Sequence, residues 1–235
     1  MRKLILECNN FLKDCGFSYA FCGGNALELF LNKNLRPHSD IDIFTFEEYR
    51  KDAVKFFLNK SWNVYIRTEH MEIPTLSSIT DSEDKRLIDC TVVWVIKPVC
   101  SFIKLDTING EENAFKYTVL IEEQLNLDFI EIIFNAKNNS DYICDKSKNI
   151  TRELGKAILY NDGVPYLAPE IKLFIDSNPR YMELDYFKNK NRIDFESTAP
   201  FLSEESKNWL INAIEKKYPE GNKRIEQLKS IKRIV

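Results

Sequence analysis

The chain has no surplus of basic side chains. Its 235 residues carry 33 Lys and Arg against 36 Asp and Glu, a net charge of -3, so nothing advertises a long nucleic-acid polymer as the partner. The Lys/Arg-rich tail from Lys216 to Arg233 interleaves Glu and Ile/Leu at helical spacing and reads as a solvated helix face. Long apolar runs are missing as well. No stretch approaches the ~20 residues that span a bilayer, and the opening MRKLILECNN lacks the apolar core of a signal peptide, which leaves a membrane role without support. The six cysteines (Cys8, Cys15, Cys22, Cys90, Cys100 and Cys144) include no C-x-x-C pair, and reduced thiols in a cytoplasmic protein are expected. Cys8, Cys15 and Cys22 are evenly spaced, but Gly16 should end the first helix between them. They read as small buried hydrophobes and not as a metal face. Internal repeats and low-complexity segments are also absent.

What is present is the balance of a folded globular chain, 44% hydrophobic and 29% charged, long enough for one large domain or two modest ones. Apolar spacing predicts a helix over Lys3 to Asp14, a buried strand over Ser18 to Cys22, and a short helix from Asn25 to Asn32 after the Gly23-Gly24 turn. Asp40-Ile41-Asp42-Ile43-Phe44 alternates strictly, which predicts a strand with both aspartates on one face. A helix over Glu47 to Asn59 and a strand over Trp62 to Arg67 follow. Polar residues from Ile73 to Asp84 suggest a loop, the run from Arg86 to Ile96 suggests a central strand, and further strands are expected over Phe115 to Leu120 and Leu127 to Phe134. Pro169 opens a helical half whose later helices are predicted over Tyr181 to Thr198, Glu204 to Lys217 and Lys223 to Ile234, with Ser203 as an N-cap. The expected class is α+β: a mixed sheet flanked by helices over residues 1–167, then a helical domain over 168–235.

The segment FCGGNALELFLNKNLRPHSDIDIF, Phe21 to Phe44, holds the chemistry. Glycines let backbone approach a ligand, and a helix start with its dipole behind it favours phosphate. Two aspartates on one sheet face need a counter-charge, which a divalent cation supplies, and hard oxygen ligands suit Mg²⁺ or Mn²⁺. In-line nucleotidyl transfer by two metal ions usually takes a third carboxylate. Asp89, interrupting the apolar run Leu87 to Val92, is the expected third ligand and base, and Glu131 in the Leu127 to Phe134 strand is the alternative. Arg36 and His38 precede the aspartates and could contact phosphate or brace the turn. His70 reads as a surface loop residue.

These residues resemble the nucleotidyltransferase superfamily of the DNA polymerase beta type, and most closely its aminoglycoside and lincosamide adenylyltransferase branch. The matching motifs are Gly23-Gly24-Asn25-Ala26, Arg36-Pro37-His38-Ser39-Asp40-Ile41-Asp42-Ile43, Ile88-Asp89-Cys90 and Gly163-Val164-Pro165-Tyr166-Leu167-Ala168-Pro169-Glu170. The resemblance implies that Gly23 and Gly24 hold a triphosphate, that Asp40 and Asp42 bind both metals, and that Asp89 binds the catalytic metal and serves as base. It also implies nucleotide contacts from Arg36 and Lys190. Relatives carry a lysine where this chain has Asp176, and a Lys-Asp-x-x-Asp-Phe segment that here reads Lys190-Asn191-Arg192-Ile193-Asp194-Phe195. The expected donor is an NTP, ATP first, with Mg²⁺ or Mn²⁺, and the expected acceptor is a small-molecule hydroxyl, with an aminoglycoside- or lincosamide-like antibiotic as the candidate. The protein would be a monomer or a homodimer. An RNA- or protein-modifying nucleotidyltransferase, and a silent nucleotide-binding module of the same fold, are the alternatives.

Overall fold

The computed structural model describes residues 2–38, 40–70, 73–99, 104–107, 115–118, 126–144 and 148–231. Cys100 and the last residues of the expected Lys223 to Ile234 helix lie outside them. In chain order the elements begin with α1 (Arg2–Phe11), β1 (Tyr19–Phe21), α2 (Gly23–Leu31), β2 (Ile41–Phe46), α3 (Arg50–Asn59), β3 (Asn63–His70), β4 (Ile73–Ile79) and β5 (Val92–Ile96). They continue with β6 (Lys104–Thr107), β7 (Phe115–Thr118), β8 (Phe129–Asn135), β9 (Asp141–Ile143), β10 (Thr151–Glu153), α4 (Leu154–Ala157), β11 (Ile158–Asn161) and β12 (Val164–Leu167). The helical end comprises α5 (Pro169–Asp176), α6 (Pro179–Glu183), α7 (Asp185–Thr198), α8 (Glu204–Lys217) and α9 (Lys223–Ser230). The class is mixed α+β, and no helix among the described residues is long and apolar enough to cross a membrane.

The chain forms two compact units, 1–20 with 37–136, and 21–36 with 137–235. The helical segment predicted from Pro169 onward lies in the second unit, which also takes in α2 and the strands from β9 to β12.

In the first unit, strands run in the order β2, β8, β5, β3, β4, with β2 parallel to β8 and the remaining neighbours antiparallel. The register sets two apolar rows on one face. One is Ile41, Ile130, Val95 and Val64; the other is Ile43, Ile132, Val93 and Ile66. All eight are buried. Because side chains alternate across the sheet, a slip of one residue in any strand would turn its row outward, so this hydrophobic pattern fixes the register. Aromatic rings from the helices and adjoining loop pack among themselves. Phe11 lies 5.4 Å from Phe56, edge-on, and 5.3 Å from Trp62. Gly16 ends the helical turn after α1 with φ +77, the left-handed backbone that its lack of a Cβ allows.

Three expectations need correction here. Residues 73–79 are the strand β4, antiparallel to β3, not a loop. Among the described residues it pairs with β3 alone, and Pro74, which lacks an N–H to donate, is tolerated at such an edge. His70, expected in a loop, ends β3. The central strand expected from Arg86 begins only at Val92, because Asp84 caps a 3₁₀ turn over Lys85–Leu87 by accepting from the Arg86 N–H.

In the second unit β11 and β12 form an antiparallel hairpin, and Phe21 pairs in parallel with Tyr166. A core of Leu27, Leu173, Phe174, Phe195, Leu210 and Ile214 joins α2, α5, α7 and α8. Ser203 caps α8 by accepting from the Ser206 N–H at 3.0 Å, as its position predicts.

Candidate active site

The face of the first unit's sheet opposite the apolar rows carries the acids. Asp42 of β2 stands beside Glu131 of β8 in register, Glu131 beside Trp94 of β5, and Trp94 beside Tyr65 of β3. Asp40 precedes β2 by one residue and shares the parity of Asp42. Asp40, Asp42 and Glu131 each offer a carboxylate oxygen, and these atoms lie within 4.8 Å of one another. All three side chains are half-buried.

The donor set suits a hard divalent cation. Mg²⁺ and Mn²⁺ favour oxygen ligands, and a Mg²⁺ site with bonds of about 2.0–2.1 Å gathers its oxygens within roughly 4 Å. Three carboxylates at this spacing without a counter-charge would repel one another, so the arrangement fits such an ion. Glu131 is also oriented from outside the set, since the Trp94 indole N–H donates to its Oε2 at 3.1 Å. This fixes one carboxylate oxygen and directs the rotamer, as groups around a metal ligand commonly do.

Asp89 does not lie where the sequence suggested. It sits in an exposed turn three residues before β5, following Ile88, which is 64% exposed. The Arg50 Nε–H braces this turn by donating to the Cys90 carbonyl at 2.7 Å. Asp89 and Glu131 line one cavity of about 560 Å³, but the carboxylate that groups with the two aspartates among the described residues is Glu131.

No protein-family profile and no curated protein matches the chain. Among solved structures it is similar to the lincosamide antibiotic adenylyltransferase LnuA in its lincomycin-bound form, at 13% identity and TM-score 0.45 over 81% of this chain and 95% of that one. It is also similar to ANT(2'')-Ia in complex with adenylyl-2''-tobramycin, at 11% identity and TM-score 0.47 over 93% of this chain and 99% of that one. A third is an antigenic nucleotidyltransferase-like protein from Paracoccidioides brasiliensis, at 12% identity and TM-score 0.44 over 100% of this chain and 93% of that one. Lincosamide and aminoglycoside nucleotidyltransferases are the group that the motifs resemble. Which residues act has to be read from this chain's own side chains.

The other expected site residues belong to the second unit, His38 excepted. Gly23 opens α2 with φ +59, a left-handed backbone that glycine favours, and Gly24 beside it is buried. Glu28, buried on α2, holds the following loop by accepting from the Leu35 N–H at 2.7 Å. Arg36 forms a two-pronged pair with the buried Asp194, Nε to Oδ1 at 3.1 Å and Nη2 to Oδ2 at 3.2 Å. Of the two roles open to Arg36, this is bracing. His38 in the first unit is buried at 3% exposure. Lys190 on α7 places its ammonium 4.7 Å from the centre of the Phe187 ring.

The lysine missing at position 176 has a counterpart one turn earlier. Lys172 pairs with Asp176 and stands 3.8 Å from Asp194. Arg36 and Lys172 thus neutralise the buried carboxylates Asp176 and Asp194. Burial raises the Asp176 pKa, Lys172 pulls it back, and the neighbouring Asp194 charge raises it further. A second buried group was not foreseen: Arg152 donates to Glu170 at 2.6 Å and to Glu205 at 2.7 Å. Glu170 interrupting an apolar helix was the available signal, since a buried acid requires a partner; no local pattern marks Arg152.

Proposed function

We propose that this protein is a metal-dependent nucleotidyltransferase that moves a nucleoside monophosphate, AMP in the first instance, from an NTP to the hydroxyl of a small-molecule acceptor. The observation that carries the reading is the convergence of Asp40, Asp42 and Glu131 on one sheet face. A divalent cation held there would neutralise charge developing on the transferred phosphoryl group and lower the pKa of the attacking hydroxyl.

The residues divide the remaining work. Asp40 and Asp42, set by the β2 alternation, hold the metal. Glu131, oriented through Oε2 by Trp94, completes the ligand set and takes the acceptor proton. The β2–β8 register supports giving this role to Glu131 in place of Asp89. Gly23 and Gly24 are assigned the triphosphate from the motif and from the backbone N–H groups at the start of α2. Lys190 is assigned a nucleotide anion on the strength of the resemblance, whereas the Arg36 guanidinium is engaged by Asp194.

The test is calorimetric titration of each of the four NTPs into the protein, with and without Mg²⁺, alongside the Asp40→Asn, Asp42→Asn double variant. Metal-dependent binding that the double variant loses supports the assignment and names the base. Absence of NTP binding in the wild type at millimolar concentrations would contradict it.

A further inference from the structure

Resting on the assignment of the triphosphate to Gly23 and Gly24, we infer that Asp194 is a positioning residue for the nucleotide. It clamps Arg36 and so fixes the direction of α2, the helix whose N-terminus those glycines form. Arg36 then acts on the nucleotide through this helix and not by touching a phosphate. All the residues involved belong to the second unit.

The helix depends on outside support. Its nine residues give α2 a length of about 13.5 Å, too short to persist alone in water. Its N-cap residue, Cys22, makes no side-chain cap bond, so a cap of that kind does not set the start of the helix.

Support comes at the opposite end. Asn32 ends the helix in the left-handed conformation, φ 53, and the Asn32 and Lys33 N–H groups both donate to the Glu28 carbonyl. The buried Glu28 carboxylate takes the chain that follows: its Oε1 accepts from the Leu35 N–H at 2.7 Å and from the Arg36 N–H at 3.4 Å. Arg36 is thereby tied to α2 through its backbone, while its guanidinium forks onto both oxygens of Asp194 on α7. Asp194 has 1% of its side chain exposed, and Lys172 of α5 stands 3.8 Å from it as a second cation.

The chemistry of these contacts divides their roles. Leu27 packs with Leu173, Phe174 and Phe195, which attaches the middle of α2 to α5 and α7. Apolar contact of this kind is non-directional, whereas a two-pronged guanidinium–carboxylate pair has a defined geometry. Such a pair, when buried, adds little net stability over apolar packing, and its best-attested use is to specify one arrangement. The fork is therefore the directional constraint on α2. With a rise of about 1.5 Å per residue, a tilt of ~5° about the Arg36 end would carry the glycine end about 1 Å, a displacement large enough to impair a site.

The test is calorimetric titration of Mg²⁺–NTP into wild type, Asp194→Asn, Glu28→Gln and a control on the same helix, Arg192→Ala, whose ion pair with Glu196 is more than half exposed on both sides. Circular dichroism checks folding, and Mn²⁺ affinity from electron paramagnetic resonance reports the carboxylates of the first unit. We expect the Kd for Mg²⁺–NTP to rise ~10-fold in Asp194→Asn and ~5-fold in Glu28→Gln, with Mn²⁺ affinity unchanged and Arg192→Ala like wild type. Glu28→Gln leaves the Arg36 guanidinium and Asp194 untouched, and it carries the test alone if Asp194→Asn does not fold. NTP affinity equal to wild type in the folded variants would overturn the inference and leave the transferase reading standing. Tighter NTP binding in Asp194→Asn would also overturn it, since releasing Arg36 would then have given a phosphate a direct partner, and so would an equal loss of Mn²⁺ and NTP affinity, which marks general damage. No NTP binding by the wild type removes the transferase reading and this inference together.

Discussion

Glu131 of β8 lies directly beside Asp42 of β2 in a parallel register, which brings its carboxylate together with those of Asp40 and Asp42. Adjacent strands are about 4.8 Å apart, so two acids in register on one face are brought together by the sheet itself and need no loop to position them.

From this relationship, Glu131→Gln should abolish metal-dependent transfer to the same extent as Asp42→Asn, a loss of ~100-fold or more in kcat, because each removes a charge from the same ligand set. Asp89→Asn should leave kcat within ~10-fold and act mainly on the acceptor KM. Steady-state kinetics of the three variants, once an acceptor is in hand, separates the two carboxylates.

Trp94→Phe tests the brace on Glu131. The ring and most of the packing remain, while the indole N–H that donates at 3.1 Å is lost. Metal affinity should weaken ~10-fold, the lower end for removing a group that orients a metal ligand. Urea denaturation of the same variant measures how much stability is lost with it.

The positions of these acids were unequally legible in the sequence. The alternation at Asp40 to Phe44 shows at once which face carries the aspartates. Glu131 cannot be ranked without strand pairing, since nothing local says that β8 joins β2. The strand expected through Asp89 was misread because Leu87, Ile88 and Cys90 look like a β-strand, whereas only Leu87 among them is buried and the Asp84 cap bends the chain. Pro74 and the serines of β4 hid an edge strand for a similar reason: polar, proline-bearing sequence is compatible with pairing on one side only. The ion pair of Arg36 with Asp194 joins residues 158 positions apart, beyond any reading of local pattern.

Arg152→Ala should destabilise the protein by ~3–5 kcal/mol, because Glu170, with 2% of its side chain exposed, loses its counter-ion. Glu205→Gln removes a partner that is 56% exposed and should cost under ~1 kcal/mol. The Arg152 hydrogen bonds hold Glu205 below the usual carboxylate range. Its contribution is therefore present above the ordinary Glu pKa and is lost as pH falls through the lowered value. Denaturation midpoints across acid pH for wild type and Glu205→Gln should converge at the acid end.

Asp176 should act with the opposite sign. Its pKa is raised by burial, so the stability linked to its proton is complete below the ordinary Asp value and is lost as pH climbs through the raised one. Asp176→Asn, which keeps the shape without titrating, should flatten that fall relative to wild type. Chemical denaturation from acid to neutral pH reads the difference.

The most direct measurement is Mn²⁺ binding followed by electron paramagnetic resonance of the free ion, on wild type, Asp40→Asn, Asp42→Asn, Glu131→Gln and Asp89→Asn. The predicted result is Mn²⁺ bound by wild type and by Asp89→Asn with similar affinity, and binding weakened at least ~10-fold in the other three. Binding lost in Asp89→Asn and retained in Glu131→Gln would contradict the assignment of Glu131 as the third carboxylate.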